Sequence, residues 1–244
     1  MAMKPETRAL LMKVSTATLC TALFKRGLTR QFIQDVRTVR STVGLGGDVP
    51  NMVGEAYTLR YMPAREDLNR IDVFLNREHP QRKAVEECPP GAVLVIDSRK
   101  DARAASAGGI LVSRLMKRGV AGVVTDGGFR DSPDIAKLNF AAYHRQPSAP
   151  TNLTLHQAIA INEPIGCGDA PVFPGDVIVG DGEGVIVLPA HLADELALEA
   201  TEMTAFEDFV QEQVMAGRGI LGLYPPTEEQ SRTDFATWRA ANQR

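Results

Sequence analysis

The stretch Gly122-Val123-Val124-Thr125-Asp126-Gly127-Gly128-Phe129-Arg130-Asp131 is the densest part of the chain for both fold and chemistry. Its first half is a short apolar run of the kind that forms a buried strand. Asp126 and two glycines cut the run, and an adjacent Arg-Asp pair follows. In α/β proteins such strand ends open onto the crevice where ligands bind. Glycines there let the backbone approach a ligand closely. Arg130 offers a planar fork matched to a carboxylate, and Asp131 offers hard oxygen to Mg²⁺ or Mn²⁺. The same spacing also suits a tight turn whose Arg130 and Asp131 are merely solvated, so spacing alone leaves both readings open.

Upstream of this stretch, Gly108-Gly109-Ile110-Leu111 opens a predicted helix that Gly119 ends. Ile110, Leu111, Leu115 and Met116 are expected to face inward. A helix N-terminus attracts anions, although a ligand-free strand-to-helix turn reads the same way. Downstream, Ser132-Pro133 is a cap and first-turn pair for a short helix through Leu138.

Farther out, residues 14–26 read as a helix capped by Ser15 or Thr16 and stopped by Gly27. A glycine-rich turn at 44–47 precedes a strand over 55–62. Leu68, Ile71, Phe74 and Leu75 have helical spacing. Pro89-Pro90-Gly91 launches a short apolar strand over 92–97. Short strands are expected at 141–144, 164–167, 177–179 and 185–188, then a helical pattern from 190 to about 216. Tyr224-Pro225-Pro226 breaks the chain, and Thr227 caps a last helix with Gln230 placed as in a capping box. Residues 90–97 echo residues 174–181, each a Pro-Gly turn, a buried strand and a terminal Asp. Two copies of good turn chemistry do not make a repeat protein. The order of elements predicts an α/β fold with a layered β/β/α core and mixed sheets, because a doubly wound sheet would alternate throughout.

At 244 residues, 44% hydrophobic and 23% charged, the chain has the composition of one globular domain with a substantial core. Lys plus Arg number 27 against 30 Asp plus Glu, a net charge of -3 that argues against a dedicated nucleic-acid binder. No apolar run approaches the roughly 20 residues of a membrane span, and the N-terminus makes a poor signal peptide. Cys20, Cys88 and Cys167 are far apart, which predicts a reduced, cytoplasmic setting. Rossmann, Walker and nucleophile-elbow patterns are absent, and His79, His144, His156 and His191 stand isolated.

Taken together, Gly108 to Leu111, the block Arg118 to Asp131, and a second block formed by Gly175-Asp176-Val177 and Asp181 to Pro189 resemble the RraA-like family. That family includes the 4-hydroxy-4-methyl-2-oxoglutarate aldolases and oxaloacetate decarboxylases, and also inhibitors of a ribonuclease. The resemblance runs from about Val14 to Glu207. It divides the chain into a core at 1–189 and a helical tail at 190–244, an extension found in only part of the family. It implies a swivelling β/β/α fold, a homotrimer or hexamer with sites at subunit interfaces, and no nucleic-acid or membrane partner. It also implies a divalent-metal-dependent class II lyase that releases pyruvate from a 2-keto acid. By position, Gly108, Gly109, Ile110 and Leu111 would hold the substrate carboxylate through their backbone. Arg130 would contact the substrate, and Asp131 would hold Mg²⁺ or Mn²⁺, partly through water. Glu207 from a neighbour's tail is a candidate proton donor. The aldolases place an Asp where this chain has Gly109. A subset with glycine there carries an acidic residue at the position of Asp134, which makes Asp134 a second candidate metal residue. The remaining readings are a non-catalytic ribonuclease regulator and a 2-keto-3-deoxy sugar-acid lyase.

Overall fold

The computed structural model describes residues 3–40 and 51–242; the glycine turn expected at 44–47 lies outside them. In chain order the elements are α1 (Pro5–Leu11), α2 (Thr16–Phe24), β1 (Arg37–Thr38), β2 (Met52–Pro63), α3 (Pro80–Glu87), β3 (Val93–Asp97), β4 (Ala105–Ala107), α4 (Gly109–Lys117), β5 (Gly122–Thr125), β6 (Gly128–Phe129) and α5 (Ser132–Ile135). They continue with β7 (Ala141–His144), β8 (Gln146–Pro147), β9 (His156–Ile161), β10 (Ile165–Cys167), β11 (Ala170–Val172), β12 (Val177–Gly180), β13 (Val185–Leu188), α6 (Ala193–Met215) and α7 (Glu229–Asn242).

The long strand β2 organises the main sheet. Its first residues pair antiparallel with β12, its middle pairs parallel with β3, and its end pairs antiparallel with β9. Among the described residues the strand order is β1-β7-β5-β3-β2-β12-β13, with β9 on the far half of β2. Phe32 bridges Ile186 of β13, and a few residues later Arg37 pairs with His144 of β7. The segment between them therefore links the two edges and nearly closes the sheet. The echoed strands β3 and β12 flank β2 on either side, one parallel and one antiparallel, each entered through a left-handed glycine (Gly91, Gly175).

Successive side chains on a strand point to opposite faces, and both faces here are buried. Val93 and Val95 share one apolar cluster with Ile178, Val185, Val187 and the β10–β11 hairpin. Leu94 and Ile96 point the other way, against Ala84 and Val85 of α3 and Val112 and Leu115 of α4. Val177, Val179, Ile186 and Leu188 pack against Leu11, Leu19 and Leu196 from α1, α2 and α6. The end of α6 joins α7 in a small aromatic core of Phe206, Phe209, Phe235 and Trp238. A second, all-parallel sheet of β4, β6 and β8 sits beyond the strand ends. The mixed sheets, the layered architecture and the helical C-terminal extension match the sequence expectation.

Local expectations fared unevenly. Ser15 caps α2 by accepting from the Thr18 backbone N–H at 3.0 Å. Ile110 was expected inward but is 85% exposed, because the first turn of α4 projects past the strand ends. Ser132 is not the cap of α5. Asp131 holds that position in a left-handed conformation, and the Ser132 hydroxyl donates to the Phe129 carbonyl at 2.9 Å. The helix ends at Ile135 rather than Leu138. The spacing at 68–75 yields only an exposed 3₁₀ turn, Ile71–Leu75. Thr227 lies two residues before α7, so it does not cap it. Helices α1 and α3 and strand β9 went unread in the sequence.

Candidate functional site

Strands β4 and β6 are parallel neighbours, so their C-terminal ends lie side by side. Gly108 follows β4 and is the N-cap of α4; Arg130 and Asp131 follow β6. The Arg130 backbone N–H donates to the Ala107 carbonyl at 3.0 Å and ties the two strand ends together. Asp131 then turns the chain with φ 59° and ψ 31°. Asp tolerates this left-handed region better than most residues, but the conformation still costs about 1–2 kcal/mol, and such strain recurs at functional sites. The turn sends the carboxylate back to α4, where Oδ2 accepts the Gly109 N–H at 3.1 Å. A Cβ on Gly108 would stand 3.2 Å from that Oδ2, and one on Gly109 would stand 3.2 Å from the Asp131 Cβ. Glycine at both positions is therefore a matter of close approach.

The edge opens into a cleft of ≈180 Å³. Gly108, Ile110, Leu111, Arg130 and Asp131 line one side, and Phe74, Gln81, Arg82, Thr151 and Asn152 the other. Arg130 is exposed and has no carboxylate within ion-pair distance among the described residues. In the first turn of α4 the Gly109 N–H is taken by Asp131 and the Leu111 N–H by the Gly108 carbonyl at 3.0 Å, which among the described residues leaves the Ile110 N–H without an acceptor. An adjoining hollow is lined by Gly109, Ser113, Asp131 and Asp134. The structure thus brings Gly108, Gly109, Ile110, Leu111, Arg130, Asp131 and Asp134 to one edge. Asp134 is largely exposed and pairs with Lys137 at 2.8 Å. Glu207 is elsewhere within the chain: it lies on α6 and accepts from the Thr18 hydroxyl at 2.8 Å. A larger cavity of ≈490 Å³, near Arg40, Tyr143 and Asp181, contains none of the expected site residues.

Among the described residues no cluster of three or more His, Cys, Asp or Glu side chains is placed to hold a metal ion. Among the described residues the Asp131 carboxylate accepts only the Gly109 N–H and keeps Oδ1 uncommitted. One open carboxylate facing solvent fits a hard cation that retains most of its water, and does not fit a dehydrated protein cage. The cysteines offer no nucleophile: burial pushes the Cys88 thiol up to about 12 and raises Cys167 as well.

Behind the cleft lies a polar core that sequence reasoning missed. Asp126 is 1% exposed and accepts three backbone N–H groups, from Ser98 at 2.7 Å, Lys100 at 3.1 Å and Gly168 at 3.1 Å. Burial pushes its pKa up to about 6, against the lowering effect of those hydrogen bonds. Beside it the Ser98, Ser106 and Thr125 hydroxyls bond one another, with Ser106 2.6 Å from each of the other two. The Ser106 carbonyl accepts from the Tyr61 hydroxyl and the Gln81 amide, both at 2.7 Å. The only sequence signal for this core was an acid at the end of an apolar run. His156 packs nearby, stacked on Tyr61 with both ring nitrogens unpartnered.

Fold and edge together define an α/β protein with a cleft at parallel strand ends, lined by Arg130 and Asp131. The chain belongs to the RraA-like family (Aldolase/RraA), whose model matches residues 16–187. A relative from Halalkalibacterium halodurans, named "Putative 4-hydroxy-4-methyl-2-oxoglutarate aldolase", is 35% identical over 57% of this chain and 68% of its own length. The crystal structure of Streptomyces coelicolor RraAS2, described as an unusual member of the RNase ES inhibitor RraA protein family, is similar with a TM-score of 0.73. It is 26% identical and covers 86% of this chain and 98% of its own. An uncharacterized protein from Pseudomonas syringae pv. tomato, 22% identical, shares the fold with a TM-score of 0.75 over 95% of this chain and 99% of its own. No helix among the described residues is long and apolar enough to cross a membrane.

Proposed function

We propose that this chain is a divalent-metal-dependent class II lyase that cleaves a C–C bond of a 2-keto acid and releases pyruvate. The reaction is of the 4-hydroxy-4-methyl-2-oxoglutarate aldolase or oxaloacetate decarboxylase type. The observation that carries this reading is the unpaired Arg130 beside the open Asp131 carboxylate, at the N-terminus of α4. The Ile110 N–H at that helix start, together with the positive end of the helix, receives the substrate carboxylate. Arg130 donates to the 2-keto oxygen, where negative charge builds as the C–C bond breaks. Asp131, with Asp134 across the hollow, would hold hydrated Mg²⁺ or Mn²⁺, which when bound supplies Lewis-acid stabilisation to the same oxygen. The proton returned to the product carbon comes from solvent in the open cleft or from Glu207 of a neighbouring copy, since Glu207 of the same chain lies elsewhere, against Thr18. Ile71, Leu75 and Ile110 are exposed close to this edge, which supports association of copies with the cleft near a subunit boundary; we take the assembly to be a homotrimer or hexamer and its setting to be the cytoplasm.

The test is coupled pyruvate release from a panel of 2-keto acids, with Mg²⁺ or Mn²⁺ and with chelator, alongside calorimetric metal titration of wild type and Asp131→Ala. Metal-dependent release that is lost in Asp131→Ala supports the lyase. The likeness to RraAS2 favours one other reading, a non-catalytic regulator that binds a ribonuclease. Absence of release from every acid in the panel, with equal metal titrations for both proteins, would leave that reading standing.

A further inference from the structure

The far wall of the cleft carries its own polar groups. The amide nitrogen of Gln81 is already spent on the Tyr61 hydroxyl at 3.0 Å and the Ser106 carbonyl at 2.7 Å. The Thr151 hydroxyl turns to the Asn152 amide oxygen at 3.3 Å, and the Asn152 amide nitrogen is buried without a partner. Arg82 differs from all of these. Its guanidinium lies over the Phe74 ring, 4.6 Å from the centroid. Among the described residues it has no carboxylate within ion-pair distance, unlike Arg114 on the neighbouring helix α4, which pairs with Glu86 at 2.8 Å. Stacking on an aromatic face holds a guanidinium in one plane and leaves its N–H edge free for a planar anion. The cleft lining thus contains two unpaired guanidiniums, Arg82 and Arg130, against a single carboxylate, Asp131.

Resting on the lyase reading, we infer that Arg82 is a specificity-determining residue that receives a second anionic group at the far end of the substrate. Arg130 takes the reacting end at the strand edge, and Arg82 reads the tail. The substrate is then a 2-keto acid with a carboxylate tail, in preference to a 2-keto-3-deoxy acid with a neutral hydroxylated tail. Phe74 is the positioning residue for Arg82, and it reaches the cleft on the 3₁₀ turn Ile71–Leu75.

The test pairs binding with turnover. Calorimetry in Mg²⁺ compares 2-oxoglutarate with 2-oxopentanoate, which match in length and differ in tail charge, on wild type, Arg82→Gln and Arg82→Lys. Wild type is expected to bind the dianion at least ten-fold more tightly. Arg82→Gln should erase that preference while leaving 2-oxopentanoate affinity within about two-fold, and Arg82→Lys should retain part of it. Absence of a wild-type preference, or equal weakening of both ligands in Arg82→Gln, overturns the inference. Pyruvate release from oxaloacetate by wild type is measured in parallel. If release fails while the binding preference and its loss persist, the lyase reading falls and the anionic subsite at Arg82 stands. If release succeeds without a tail preference, the reverse holds.

Discussion

Asp126 and Asp131 are five positions apart on one connection, and the fold treats them in opposite ways. Asp126 is sealed behind the cleft, where its two oxygens accept three N–H groups from two segments of backbone. Asp131 sits at the rim, takes one N–H from Gly109 and leaves the rest of its carboxylate to solvent. The first holds together the connections after β3 and β10; the second is available to chemistry. A carboxylate saturated with backbone donors is a structural clasp, and one left partly unsatisfied at a strand end is a candidate site. The difference lies in surroundings, since the side chains are identical.

The comparison breaks most sharply at Asp126. Asp126→Ala strands two buried N–H groups, of Ser98 and Gly168, and a partly buried one of Lys100, and leaving each buried one unmet costs on the order of 1 kcal/mol or more. We expect a loss of about 3 kcal/mol and a Tm lower by about 6 °C or more, read by thermal melts at pH 7. A Tm within about 2 °C of wild type would mean that the clasp is not structural.

Asp131→Asn should do the converse. Asparagine still offers an oxygen to Gly109, so the melt stays near wild type. Metal-dependent pyruvate release should fall at least 100-fold, about 2.7 kcal/mol of transition-state stabilisation. Turnover close to wild type would assign Asp131 to the turn alone.

Arg130→Lys tests the rim more gently, because the charge remains and the fork is lost. A drop in kcat/KM of about ten-fold, equivalent to about 1.4 kcal/mol, is expected. Steady-state kinetics within a factor of about two of wild type would make Arg130 a bystander.

The smallest effect lies in the polar core. His156→Phe preserves the stack on Tyr61 and removes two ring nitrogens that lack partners. It should stabilise the protein by about 1 kcal/mol. It should also change the pH response. Burial lowers His156 and His144 to about 4, so between pH about 6.5 and 4 the unfolded chain binds the extra protons and stability falls with acidification. Asp126, raised to about 6 by burial, acts oppositely: the folded state holds its proton as pH falls through 6, which favours folding in acid. His79, lowered by burial, adds to the histidine side, and Asp97 and Asp176, raised by burial, add to the aspartate side, so the contribution of His156 is read as the difference between variant and wild type. His156→Phe should make Tm fall less, or rise more, from pH 6.5 to 4, and an unchanged slope would show that His156 finds hydration in the native state.

Much of this architecture was legible in the residues. The apolar runs that became β3, β5, β12 and β13 are too short for helices and are bounded by Pro, Gly or Asp, so local chemistry identifies them. Gly108-Gly109 announces a helix start, whereas Gly127-Gly128, read as room for a ligand, are buried against the side chains of Ser98, Ser106 and Ser148. Helix α3 was missed because it rests on little more than Ala84, Val85 and a leading proline. Ile110 was misread because its helical spacing does not reveal that the sheet stops before it.

What the sequence determined by itself was the inventory: short buried strands, glycine turns at their ends, an Arg-Asp pair after one of them, and the motif blocks that mark the family. Those features arise from local backbone preference and from apolar runs, which a linear string contains. The tertiary structure alone decided which aspartate is buried, that the Gly109 N–H meets Asp131 from 22 positions away, and that Arg82 on α3 faces the same cleft as Arg130. Each depends on the parallel pairing of β4 with β6 and on the layers packed over it. Desolvation and hydrogen-bond saturation, which divide the clasp from the site, are set by what surrounds a group in space.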